Sequence, residues 1–444
     1  MKNKTFKITF HSLWYFFTAM ALSIICVGGY NPYFMNIRNL LSTGLVMCSL
    51  FVALIIRKKI IIDTSLGLFI IVGAYMIFSA SMSMDTDAGF KIAGYYILGA
   101  AVLMIEYSDN LIDTVIKFMN VFVLVIAVSI IISVPIDDCM NKYFSWLLNP
   151  TNDPAIAQSM RDTIANSHSY AGFARDKSVA AYIMGMGICI YLGKYFSGKK
   201  LEWHEVLGLI IEISALLLTS KRMILVCLIA VFAILMLTSQ IKGKIIKFSM
   251  IALVGAIALF IIMSFIPSMS NVFERFTNEN TDTLTGRSEL WSFSLMMFSK
   301  SPLLGMGLGS FNEFAAEQGY LSASGDRWNY YGHNCYYEFL GELGIIGSVI
   351  VFGALLYMLI KTFTLIRNKS LTPNQRFHIY FAFAVEAMLL IYSVSGNVLL
   401  YADQTLSLFF AFAIVRSVII NNGLRKNSKL SKYVKYRNRG YYAN

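Results

Sequence analysis

Charge is scarce in this chain. Only 14% of its 444 residues are Asp, Glu, Lys or Arg, against 57% hydrophobic residues and a mean hydropathy of +0.62. A water-facing surface needs about a quarter charged residues, so a soluble globular enzyme is excluded. Disorder is excluded too, because apolar and aromatic side chains dominate. The long apolar runs lack the apolar–polar alternation of a transmembrane β-barrel. Cysteine is sparse and unpatterned. Cys26, Cys48, Cys189 and Cys227 sit inside apolar runs as small hydrophobes, whereas Cys139 and Cys335 lie in polar segments and would pair only in an oxidising compartment. There is no zinc-type spacing, no solenoid-type repeat and no low-complexity segment. No small-residue cleavage signal follows the first apolar run, which therefore reads as a retained helix. What is left is an all-α polytopic membrane protein.

A membrane-crossing helix takes roughly 20 mostly apolar residues. Twelve candidate cores are present, at 13–27, 40–56, 66–82, 92–105, 121–134, 179–195, 206–218, 223–238, 245–266, 345–360, 379–394 and 406–420. The net charge of +12 follows the topology rather than a nucleic-acid partner. With Lys2, Lys4 and Lys7 in the cytoplasm, every second connection is basic: Arg57 to Lys59, then Lys194, Lys199 and Lys200, then Lys242, Lys244 and Lys247, then Lys361, Arg367, Lys369 and Arg376. Both termini are expected inside. The basic tail, 421–444, is expected to be attracted to anionic lipid heads. The chain divides into spans 1–5 (1–136), a first external loop (137–178), spans 6–9 (179–266, with a Ser-Lys-Arg turn at 220–222), a large external loop expected to be folded and partly helical (267–344), and spans 10–12 (345–420).

Lys221 and Arg222 form a basic pair on the side where the positive-inside rule disfavours cations, which makes the turn a candidate anion site. Arg287 lies in a loop with net negative charge and by itself reads as a surface ion pair. His333, one of five histidines, precedes Asn334 among Tyr330, Tyr331, Tyr336 and Tyr337, with Glu338 and Glu342 on one helix face at i,i+4. An imidazole suits proton transfer near neutral pH. Gly305, Gly307 and Gly309 read as turn and packing glycines, since no P-loop lysine follows. Asp85 and Asp87 form an external D-x-D, and Asp137 with Asp138 is a second acidic pair. Both read chiefly as interfacial turn acids, with metal binding as the competing reading. Glu212 and Glu386 are carboxylates inside predicted spans.

The segment from Thr285 to Gly353 carries Arg287, Trp291, Pro302, Gly305, Gly307, His333, Asn334, Tyr336, Glu342, Leu343, Gly344 and Gly347 in a spacing that resembles the O-antigen ligase and polymerase family of bacterial surface-glycan enzymes. The turn Thr219-Ser220-Lys221-Arg222 is similar to the family's external Ser-Arg pair, with Lys221 inserted. One departure is the stretch Gly172 to Ser178, which lacks the Asn usual before the sixth span and offers Arg175 or Lys177 instead.

The resemblance implies an inverting glycosyltransferase of the bacterial cytoplasmic membrane, its active site facing outward. It would move glycan from undecaprenyl diphosphate to an acceptor hydroxyl. Polymerising repeat units is the first expectation, joining polymer to lipid A core the second, and flipping lipid-linked sugars the third. The expected catalytic residues are Arg222, Arg287 and His333. Lys221, Asn334, Tyr336 and Arg175 are expected to bind substrate, with Glu342, Glu338 and Trp291 in support. Two arginines would carry the charge neutralisation, so no metal or cofactor is expected. A flippase and a chain-length regulator are the expected protein partners.

Overall fold

The computed structural model describes residues 10–27, 44, 62–105, 107–134, 169–174, 176–239, 285–321 and 331–422. These residues are helical, without an extended strand among them. In chain order the helices are α1 (Phe10–Val27), α2 (Thr64–Ser81), α3 (Thr86–Met104), α4 (Asp109–Ile132), α5 (Lys177–Phe196), α6 (Trp203–Leu218), α7 (Arg222–Thr238), α8 (Thr285–Lys300), α9 (Phe311–Glu317), α10 (Cys335–Ile366), α11 (Pro373–Tyr392) and α12 (Ala402–Asn421). Every predicted apolar core has a described helix except those at 40–56 and 245–266, which lie outside the described residues, as does Arg175. Among the described residues, five helices, α2, α4, α5, α10 and α12, are long and apolar enough to cross a membrane.

Helix starts follow local chemistry. Asp63, Asp85, Ser108 and Asp176 each accept a backbone N–H at the head of α2, α3, α4 and α5, satisfying donors that helix geometry leaves without a partner. α11 opens on Pro373 with a reciprocal Thr372–Gln375 cap. The Asp85–Asp87 pair is thus accounted for as a helix start: Asp85 accepts from Ala88 N at 3.0 Å and Asp87 sits in the first turn. The Asp137–Asp138 pair lies outside the described residues.

α5, α11 and α12 are buried along most of their length, and the other helices surround them. Outward faces carry exposed apolar stripes, such as Val121, Val125, Val128 and Ile132 on α4. Lipid tails are as apolar as leucine, so close packing and interhelical hydrogen bonds hold such a bundle. The Phe69 and Phe409 rings meet edge-on at 4.7 Å between α2 and α12. Tyr96 donates to Leu399 O at 3.1 Å and Tyr75 to Leu343 O at 2.9 Å.

From α2 onward the helix ends sort into two sets that touch only within themselves in the hydrogen bonds and ion pairs below. At one end, Arg416 on α12 donates to Asp63 at 2.8 Å and to Leu103 O at 2.6 Å. His378 on α11 meets Asp113 on α4 at 2.7 Å. Lys199 reaches Asn374 at 2.6 Å, and Lys194 pairs with Glu205. At the other end, Ser83 meets Ser310, Phe173 N donates to Ser129, Tyr170 N to Leu218 O and Cys335 N to Ser393 O. Antiparallel neighbours produce this alternation, and the first end is the one the sequence makes rich in Lys and Arg.

Within 267–344 the described residues include α8, α9 and the first turns of α10. α10 begins at Cys335, not near 345, and runs through a break at Gly344, whose φ of 62° and ψ of −169° no helix contains. The first turns of α10 therefore sit at the second end, outside the apolar stretch that follows the break.

Candidate active site

The candidate residues come from segments far apart in sequence, and each lies at the head of a helix. Lys177 is the first residue of α5. Lys221 is the N-cap and Arg222 the first residue of α7. Arg287 lies in the first turn of α8, and His333 immediately precedes Asn334, the N-cap of α10. Lys177, Lys221, Arg287 and His333 are linked electrostatically through Lys221. His333 feels Arg287 and Lys221, and Lys221 feels Lys177, Asp176 and Arg287. A helix head carries roughly half a positive charge. Placing cations there costs stability rather than adding it. Like charges gathered at helix heads form an arrangement that can bind an anion.

His333 responds to this field. Burial, then the charges of Arg287 and Lys221, hold its imidazole down at about 4, so it is uncharged at neutral pH and free to accept a proton. Burial first, then Lys177 and Arg287, also lower the Lys221 ammonium, with Asp176 opposing them. The Asp176 carboxylate is already engaged as the α5 cap, accepting from Ser178 N and Val179 N at 2.7 and 3.0 Å.

Backbone strain marks the same place. Among the described residues, only Ser220 (φ 56°) and His333 (φ 53°) have positive φ without being glycine. A non-glycine residue there costs on the order of 1–3 kcal/mol and persists where the surroundings over-determine it. Ser220 follows the C-cap of α6 in the left-handed position that usually takes Gly. It turns the chain straight into α7 and presents Lys221 and Arg222 together.

Asn334, Tyr336, Glu342, Glu338 and Trp291 each make a contact within the protein. Asn334 Oδ1 accepts from Tyr336 N and Tyr337 N at 3.0 and 3.2 Å, fixing the turn that carries His333. The Tyr336 hydroxyl donates to Leu390 O at 2.7 Å and so ties α10 to α11. Glu342 accepts from Phe311 N at 3.1 Å, with the Gly309 and Ser310 amides beside it, and anchors the loop before α9. Glu338 holds the residue preceding His333, accepting from Gly332 N at 2.7 Å. Both carboxyls are buried on the face they were expected to share. Trp291 packs edge-on to Tyr337 at 5.8 Å and so joins α8 to α10.

The glycines serve packing. Gly305, Gly307 and Gly309 all have positive φ. A Cβ on Gly305 would fall 2.2 Å from Glu342 O, and one on Gly307 2.4 Å from Ser83 Cα. Gly307 N donates to Glu342 O at 2.9 Å and Ile345 N to Pro302 O at 2.9 Å. The Gly344 break lets the 302–309 strap bond across α10. Cys335 is a free thiol, buried and donating to Gly396 O at 3.2 Å. Glu212 and Glu386 are buried within the bundle. Glu386 accepts from Thr362 at 2.9 Å, and Glu212 lies beside the Tyr191 hydroxyl.

The sequence did not single out the connection between α11 and α12. The Tyr392 phenol lies in the field of Asp176, Arg287 and Tyr401, and the Tyr331 and Tyr401 rings meet edge-on at 5.3 Å. Its only sequence signal is a short polar stretch, Ser395-Gly396-Asn397, too brief to separate from an ordinary turn.

Residues 207–352 match the family model described as O-antigen ligase. The match runs from α6 through the break in α10 and includes Lys221, Arg222, Arg287 and His333, while Lys177 and the α11–α12 connection fall outside it. No curated protein matches the chain.

Proposed function

We propose, for a membrane protein whose residues 207–352 belong to the O-antigen ligase family, that it transfers a glycan from undecaprenyl diphosphate to an acceptor hydroxyl at the outer face of the bacterial cytoplasmic membrane. The observation that carries this reading is the meeting of cationic helix heads around an uncharged His333. Guanidinium groups bind phosphate oxygens bidentately and stay charged at any working pH. Arg222 and Arg287 hold the diphosphate, and Lys221 adds a third positive charge. The acceptor oxygen attacks the anomeric carbon from the face opposite the diphosphate. The new carbon–oxygen bond forms as the bond to phosphate breaks, and the anomeric configuration inverts. The acceptor proton passes to the His333 imidazole. Undecaprenyl diphosphate leaves with the bonding electrons, its growing charge met by preplaced cations. The anion also offsets the positive neighbours of His333, raising the affinity of the imidazole for the incoming proton.

Polymerisation of repeat units is the reading adopted, because it serves envelopes with and without lipopolysaccharide. Ligation to lipid A core is the second reading, supported by the description of the matched family. A flippase is less well supported, since Lys221, Arg222 and Arg287 sit at helix heads rather than along the spans. Deleting the gene and resolving the surface glycan by gel separates them. A single repeat unit on its usual anchor means polymerase, and full-length polymer stranded on undecaprenyl diphosphate means ligase. A complementing Arg287→Ala gene should reproduce the deletion phenotype at normal protein level. A wild-type ladder from that variant would sink the assignment.

A further inference from the structure

The connection from Ser393 to Tyr401 wraps the head of α10 beside His333. Cys335, two residues after His333, is bonded to it three times: Cys335 N donates to Ser393 O at 3.0 Å, its thiol donates to Gly396 O at 3.2 Å, and Leu399 N donates to the sulfur at 3.4 Å. From this position the connection presents polar atoms that the protein does not use. Asn397, 7% exposed, precedes the 3-10 turn Val398–Leu400, where an Asn side chain normally caps. It makes no such cap, and among the described residues its Oδ1 has no hydrogen-bond partner. The Ser395 hydroxyl is likewise buried without a partner. Leaving such groups unsatisfied costs about 1–3 kcal/mol each, so they call for an occupant with hydroxyls or amides to offer. Aromatic rings complete the surroundings. The Tyr392 ring packs against Gly396, and Tyr331 meets Tyr401. Rings with a polar tip beside a carboxamide and a hydroxyl form a surface suited to a pyranose, which has apolar C–H faces and a polar rim.

We propose that the α11–α12 connection is a saccharide subsite, in which Asn397 and Ser395 hydrogen-bond ring hydroxyls of the sugar placed next to His333 and so select which sugar is transferred. This rests on the glycan-transfer reading and extends it to residues outside the matched family region. No bond is made or broken by this subsite. It positions the sugar while the cations and His333 carry the reaction.

The test uses the full-length protein in lipid nanodiscs and, as probe, the lipid-linked saccharide extracted from a strain deleted for this gene. Asn397→Ala and Ser395→Ala should each raise KM about tenfold, the size of one net hydrogen bond, with kcat changed less than threefold. Asn397→Gln, which keeps the carboxamide, should recover part of the loss. Wild-type KM in both alanine variants overturns the subsite. So does an equal fall in kcat and thermal midpoint that Asn397→Gln does not relieve, because that marks a purely structural role. His333→Ala runs alongside. If it transfers normally, the catalytic assignment has failed; if it is inactive while Asn397→Ala matches wild type, only the subsite has.

Discussion

Two histidines at opposite ends of the bundle show what placement does to one side chain. His378 is fully buried and bonded to Asp113 at 2.7 Å, with Asp109 at 4.0 Å. The network continues through Asn374 to Lys199 and joins α4, α11 and the α5–α6 connection. There, each charge faces its opposite. His333 is also largely buried, but its charged neighbours are Arg287 and Lys221. Paired charges hold helices together, and one such pair joins Arg416 to Asp63. The same residue type is therefore a strut at one end and a candidate proton acceptor at the other.

The widest separation comes from exchanging the two roles. His333→Ala should abolish transfer, a loss of about 10²–10⁴-fold for a general base, while the detergent-extracted protein keeps its thermal midpoint. His378→Ala should do the reverse, keeping transfer and losing about 1–3 kcal/mol of stability with its charged hydrogen bond. Activity lost equally in both would erase the distinction.

Next in size is Arg416→Ala. It removes the cationic partner of the buried Asp63 carboxylate and should show as reduced folded yield in gel-filtration profiles. Arg416→Lys would recover part of this but cannot supply both present contacts, to Asp63 and to Leu103 O.

The pH profile is a finer probe. For kcat/KM the acid limb should lie near pH 4, where His333 takes up its proton. Lys221→Met removes a positive neighbour, favours the protonated form and moves that limb to higher pH. A limb that stays in place would mean that Lys221 does not act on His333. Stability follows the same sign. The contribution of His333 is complete above its ordinary value of about 6.5 and is lost as pH falls from there towards about 4, because the unfolded chain binds the proton first.

The smallest effect is expected from Ser220→Gly. Relieving the left-handed strain should stabilise the turn by up to about 1 kcal/mol, read from thermal melts, while the looser turn lowers transfer severalfold by letting Lys221 and Arg222 drift. Unchanged activity would separate the strain from the presentation of the cations.

Much was legible in the sequence because it depends on short-range chemistry. Apolar runs of spanning length and the alternation of basic connections each act within a few residues of themselves. The spacing from Arg287 to Gly347 carried the resemblance to the family whose model matches residues 207–352, and Gly305, Gly307 and Gly344 within it take positive φ. Tertiary structure decided what spacing cannot carry: that Lys177, Lys221, Arg287 and His333 share one field, that Glu342 anchors the α9 loop, that Tyr336 bonds to α11, and that the α11–α12 connection closes over Cys335. Electrostatic and hydrogen-bonding partners are set by distance in space. In a helical bundle that distance depends on which helices pack together, and no local pattern along the chain records it.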